Sequence, residues 1–178
     1  MKSNQKREQI ASAFMEMLND TPLEALRIQD LCEKAGVSKS TFYRLFTDKY
    51  ELAFWIYKKL ADEIVLSRPT LKCGGEWTDY IFDKMLEHKA FYRNIASYRG
   101  QNSFFDYLRQ YYHQNLLRFR KSPDKELTED QKYATYMLSI INAQITIDWI
   151  LNGFQPEAKQ VTHQAEICIP QCIREFWD

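Results

Sequence analysis

The chain has 178 residues, of which 45% are hydrophobic and 27% charged, enough to bury a core as one domain or two small ones. Its 24 Lys and Arg balance 24 Asp and Glu, and residues 1–50 carry eight basic against seven acidic groups, so bulk positive charge does not choose its partner. Five Gly, five Pro and no alternating apolar and polar runs argue against sheet and predict an all-α fold of about nine helices.

The opening Met1-Lys2-Ser3-Asn4-Gln5-Lys6-Arg7 is polar, with no apolar stretch behind it. Neither a secretory signal nor an anchor is expected, and the chain reads as cytoplasmic. Ile10, Ala11, Phe14, Met17 and Leu18 recur at helical spacing and share one face of a first helix, which Asn19-Asp20-Thr21-Pro22 ends. Ile28, Leu31, Cys32 and Ala35 mark a shorter second helix, closed by Gly36 where a left-handed residue is needed. Ser38 is a natural N-cap for a third helix starting at Lys39, with Val37 and Phe42 spaced as a hydrophobic staple. Phe42 and Phe46 give that helix an inward face, with Leu45 flanking; Lys39, Ser40, Tyr43 and Arg44 project elsewhere.

Thr47-Asp48-Lys49 opens a fourth helix that runs through Leu66 to a stop at Arg68-Pro69, and Cys73-Gly74-Gly75 reads as a hinge. Helical patterns follow at 77–88, 90–98 and 103–120, and Ser122-Pro123-Asp124 breaks the last. A long helix is expected over 129–152, and its segment from Tyr136 to Leu151 is apolar on most of its circumference, yet too short and, with Asn142, Gln144 and Asp148, too polar for a membrane span. A final helix carries Val161, Ala165, Ile169 and Ile173, with a kink expected at Pro170.

Two short helices joined through Gly36, with a third beside them, match a helix-turn-helix, whose second helix enters the DNA major groove. Lys39 and Arg44 can donate to guanine edges or phosphates, Ser40 and Thr41 permit close approach, and the Tyr43 hydroxyl suits a phosphate. Lys49 sits at a helix start, where amides also favour phosphate. The same residues fit a merely solvated face of a small three-helix bundle, and the pattern alone does not separate the two.

The segment Ile28-Gln29-Asp30-Leu31-Cys32-Glu33-Lys34-Ala35-Gly36-Val37-Ser38-Lys39-Ser40-Thr41-Phe42-Tyr43-Arg44-Leu45-Phe46, followed by Asp48-Lys49 and Leu52, resembles the N-terminal domain of the TetR family across Lys6 to Tyr57. The resemblance implies a DNA-binding domain over 1–50 and an effector-binding, dimerising domain over 51–178. It further implies that Thr41, Tyr43 and Lys49 hold phosphates while Gln29, Lys39, Ser40 and Arg44 read bases of double-stranded operator DNA. Arg27 and Leu45 depart from the family pattern. Leu45 either meets a thymine methyl or packs inward.

Beyond Cys73 the likeness weakens. Phe91-Tyr92-Arg93-Asn94, Ser103-Phe104-Phe105-Asp106-Tyr107 and Trp149-Ile150-Leu151-Asn152-Gly153 resemble regulators of the dihydroxyacetone-kinase type. The implied function is a homodimeric repressor released by a small-molecule effector. Two heads must meet successive major-groove faces, and the long helix through Ile140, Ile141, Ile145 and Trp149, with the final helix, is the expected dimer interface. Tyr107, Tyr111, Asn142 and Trp149 are the candidate effector contacts, although each aromatic also fits a core position.

No phosphate-cradling Gly loop, nucleophile elbow or HExxH motif is present, so neither an enzyme nor a cofactor is expected. Two alternatives remain. One is a metal or redox sensor using His163, Cys168 and Cys172, against which Pro170 and two small packing cysteines weigh; no metal is expected. The other is a partner-binding co-regulator of the same fold without operator binding.

Overall fold

The computed structural model describes residues 2–67, 75–120, 122 and 124–177. Among them are ten helices and no strand: α1 (Lys2–Met17), α2 (Ile28–Lys34), α3 (Lys39–Leu45), α4 (Lys49–Ser67), α5 (Gly75–Leu86), α6 (Lys89–Ser97), α7 (Phe104–Arg118), α8 (Glu129–Leu151), α9 (Ala158–Ile167) and α10 (Gln171–Trp177). The expected stops at Arg68-Pro69 and Pro123 and the hinge residues Cys73-Gly74 lie outside the described residues. Gly75 is the first residue of α5 rather than part of a loop.

Helix starts follow side-chain chemistry. Ser103 and Asp106 form a reciprocal capping box at α7, and Thr128 and Gln131 form one at α8. At α4, Asp48 Oδ1 accepts from the amides of Tyr50 (2.9 Å) and Glu51 (2.7 Å), occupying two of the donors a helix N-terminus leaves free.

One hydrophobic core runs from Ile10 in α1 to Val161 in α9 without a break between the N-terminal helices and the rest. Phe14 of α1 meets Phe91 of α6 edge-on at 6.2 Å, and Tyr57 of α4 is buried against Phe104 and Tyr111 of α7. Helix α8 buries Thr135, Ser139 and Thr146 as well as aliphatics. Their hydroxyls donate to Gln131, Tyr136 and Asn142 carbonyls at 2.7, 2.6 and 2.8 Å, so each of these three enters the core with its hydrogen bond made. On the other side of α8, Tyr133, Tyr136 and Leu151 are exposed and Ile140 and Ile141 half-exposed, whereas Ile145, expected with them, packs against the core. Trp149, expected beside them, turns inward: it is 3% exposed, stacks on Phe82 at 4.4 Å and donates from Nε1 to the Pro156 carbonyl.

The kink expected at Pro170 is a full break, and it accounts for a tenth helix where about nine were expected. Proline has no N–H for the Glu166 carbonyl four residues back, so α9 ends at Ile167. Arg174 folds back and donates from Nη2 to that carbonyl at 2.5 Å. The Pro170 carbonyl then accepts from the Ile173 and Arg174 amides and starts α10.

Among the described residues no helix is long and apolar enough to cross a membrane.

Candidate nucleic-acid interface

The α2–α3 turn is built from three local devices. Gly36 has φ +64°, the left-handed conformation its position in the sequence predicts. The Val37 amide bonds the Cys32 carbonyl (3.0 Å) and the Gly36 amide that of Glu33 (3.2 Å), the paired bonds of a Schellman end. Ser38 then caps α3 by accepting from the Thr41 amide at 3.2 Å. With only one residue between closure and cap, the directions of α2 and α3 are fixed by these bonds.

Packing decides which face of α3 is free. Phe42 is fully buried, Leu45 is 8% exposed and Phe46 2% exposed, all in the main core. Leu45 therefore packs inward and does not face a groove. Lys39, Ser40, Tyr43 and Arg44 are exposed, Tyr43 by 56%. Thr41 is not among them: it is 8% exposed, and its Oγ1 lies 3.0 Å from Ser38 Oγ. Gln29 is exposed on α2 and donates from Nε2 to Glu33 at 2.5 Å. Arg27 is held by both oxygens of Asp30, at 2.8 and 3.1 Å, and that hydrogen bonding raises its pKa.

Lys49 makes internal bonds that spacing did not reveal. Its Nζ donates to the carbonyls of Glu24 (2.9 Å) and Leu26 (2.8 Å), tying the α1–α2 loop to the start of α4. Partial burial lowers its pKa. One of its three N–H groups remains for an outside partner.

Asn94 of α6 was missed by sequence reasoning, although a polar residue beside buried Ile95 on an amphipathic helix was its signal. Its Nδ2 donates to the Leu18 (2.9 Å) and Thr21 (2.8 Å) carbonyls, and its Oδ1 accepts from the Leu23 amide (2.7 Å). Four residues on, Tyr98 stacks on Tyr50 of α4 at 4.4 Å.

A cavity of about 80 Å³ lies among α5, α7, α8 and α9, lined by Trp77, Phe82, Tyr112, Asn142, Thr146 and Glu166 among others. Of the four candidate effector contacts, Asn142 lines it. Tyr107 instead stacks on Phe54 at 4.7 Å, Tyr111 is in the core, and Trp149 stacks on Phe82. A chain of hydroxyls leads away from the cavity: Tyr57 donates to Tyr112 (3.3 Å), Tyr112 lies 3.0 Å from Thr146, and Thr146 donates to the Asn142 carbonyl. His163 and Cys168 are exposed and Cys172 half-buried, and among the described residues no group of three or more His, Cys, Asp or Glu is arranged to hold a metal.

Residues 10–54 match the family model described as bacterial regulatory proteins, tetR family, and residues 75–171 match that of a transcriptional regulator C-terminal region. The fold resembles that of a dihydroxyacetone kinase operon activator, DhaS, at 16% identity and a TM-score of 0.62, covering 96% of this chain and 97% of that one. A TetR transcriptional regulator from Rhodococcus sp. RHA1 is similar at 16% identity and a TM-score of 0.61, covering 96% and 99%. Another from Syntrophomonas wolfei is similar at 15% and 0.61, covering 94% and 97%. At these identities the likeness is one of fold. No curated protein matches the chain in sequence.

Proposed function

The chain belongs to the tetR family of bacterial regulatory proteins, which are DNA-binding transcription regulators, and from that premise we propose that it is a sequence-specific, homodimeric repressor released by a small-molecule effector. The observation that carries this reading is the free face of α3: Lys39, Ser40, Tyr43 and Arg44 stand exposed on a helix whose other face is locked into the core. In this reading Lys39, Ser40 and Arg44 meet base edges, with Gln29 beside them, and Tyr43 holds phosphate. Lys49 keeps one N–H for phosphate, and Thr41 acts through the Ser38 cap rather than by direct contact. The reading head is taken as residues 1–50 and the effector-binding, dimerising part as 51–178.

Dimerisation uses the side of α8 that carries Tyr133, Tyr136, Ile140, Ile141 and Leu151, together with α9, on which Ile167 is 67% exposed. The effector occupies the cavity of about 80 Å³, whose largely apolar lining suits a small, mostly apolar molecule. Tyr112 and Thr146 line that cavity and connect through hydroxyls to Tyr57 on α4, the helix that follows the head. An effector acts there only by binding the released state more tightly than the DNA-bound one.

The test is titration of the protein with duplexes from the DNA flanking its gene at several salt concentrations. Specific binding whose affinity falls steeply with salt is expected; salt-independent binding, or binding to no duplex, would overturn the proposal. One structural neighbour is named as an operon activator, so the sign of regulation needs its own measurement. Deletion of the gene should raise transcription of the controlled genes, and a fall would make the protein an activator.

A further inference from the structure

We propose that Asn94 is the positioning residue that sets the direction of the DNA-reading head, an inference that rests on the DNA-binding reading above. All three hydrogen-bonding positions of its amide facing the head are used, and each goes to backbone of the α1–α2 turn: Leu18 O, Thr21 O and Leu23 N, at 2.7 to 2.9 Å. Two donors and one acceptor in one plane are what only an amide supplies. Aspartate keeps the acceptor but sets negative charge against two carbonyls, and alanine leaves all three backbone groups without this partner.

The placement gives these bonds more than a capping role. Helix α6 packs on α8, which lines the cavity and carries the free apolar face. Asn94 therefore joins the turn between the first two helices of the head to the body of the protein. The same loop is held a few residues later by Lys49 through Glu24 O and Leu26 O, and the start of α4 is held to α6 by the Tyr50–Tyr98 stack. The loop is thus tied at two successive points, to α6 by Asn94 and to the start of α4 by Lys49. The bonds of α3 and its cap are untouched by Asn94, so its loss leaves each reading surface intact and loosens its direction about the remaining Phe14–Phe91 and Tyr50–Tyr98 contacts.

Direction matters only when two heads bind together. Two half-sites lie about 34 to 36 Å apart or a multiple of it, and a dimer whose heads wander loses the high effective concentration of the second contact. A single head on a half-site loses nothing. Asn94 is thereby distinguished from a residue that merely supports the fold of the head.

The experiment selects a duplex from a random-sequence pool with the wild-type protein and compares binding to that duplex and to its half-length fragment. Asn94→Ala and Asn94→Asp are measured beside the wild type, with concentrations corrected for the folded fraction read by circular dichroism. Expected is a loss of at least tenfold on the full duplex for both variants, with less than a twofold change on the half-length fragment. Unchanged binding to both would reduce Asn94 to a loop tie and overturn the proposal. Equal losses on both would make it a support of the head's own fold, which overturns it as well. A wild type that selects no duplex refutes DNA binding itself, and this inference with it.

Discussion

Helices α3 and α8 treat polar side chains in opposite ways. On α3, Lys39, Ser40, Tyr43 and Arg44 face solvent, with none of their charged groups in an ion pair with the described residues. On α8, Thr135, Ser139 and Thr146 are buried, and each hydroxyl bonds a carbonyl of its own helix. The first set lies at the surface, with Ser40 alone sharing its hydroxyl with Ser38 Oγ at 2.9 Å; the second is closed to partners and holds the fold. Exposure and internal bonding together, rather than residue type, mark which polar side chains a partner can reach.

The largest test of that contrast is Phe14→Ala, which opens a void where α1 meets α6. A loss of about 3 to 5 kcal/mol is expected, in a single unfolding transition seen alike by near-UV and far-UV signals, because the core is continuous. Two separate transitions would show that the head folds independently. Arg44→Ala should do the reverse. Operator affinity should fall by about 1 to 3 kcal/mol while the unfolding free energy stays within about 0.5 kcal/mol of wild type. A large stability loss would move Arg44 from the recognition set to the structural one.

Ser38→Ala removes the α3 cap and should cost about 1 kcal/mol of stability, measured by urea unfolding. Because Thr41 bonds the same hydroxyl, DNA affinity should weaken with it. An effect of similar size belongs to Tyr57→Phe, which deletes one donor from the buried hydroxyl chain and should cost about 0.5 to 1.5 kcal/mol. A shift in effector response without a shift in operator affinity would give that chain a role in coupling as well.

The head was legible because its signals are local. Gly36 closing a helix, Ser38 opening the next and Phe42 four residues on are separated by a few bonds, and each has one physical reading. The helical pattern of α5 to α8 was legible for the same reason. What could not be read was which neighbour each side chain meets across the fold. Trp149 fitted an interface or a ligand site equally well until Phe82 was found stacked on it, and Asn94 gained meaning only from residues more than seventy positions away. Leu45 was undecided for lack of the core behind it. At Pro170 the proline signalled a disturbance, but that Arg174 reaches back to the Glu166 carbonyl across the break could not be read from spacing.

The unbroken core has a consequence for how such proteins can be recombined. Cutting after residue 50 and fusing the first three helices to a foreign body would part Phe14 from Phe91, Leu23 from Asn94 and Tyr50 from Tyr98. A transplanted head would need the matching face of α6 to travel with it. If the proposed reading of the head holds, a graft that respects only the helix-turn-helix would carry its exposed side chains without the contacts to α6 that set their direction.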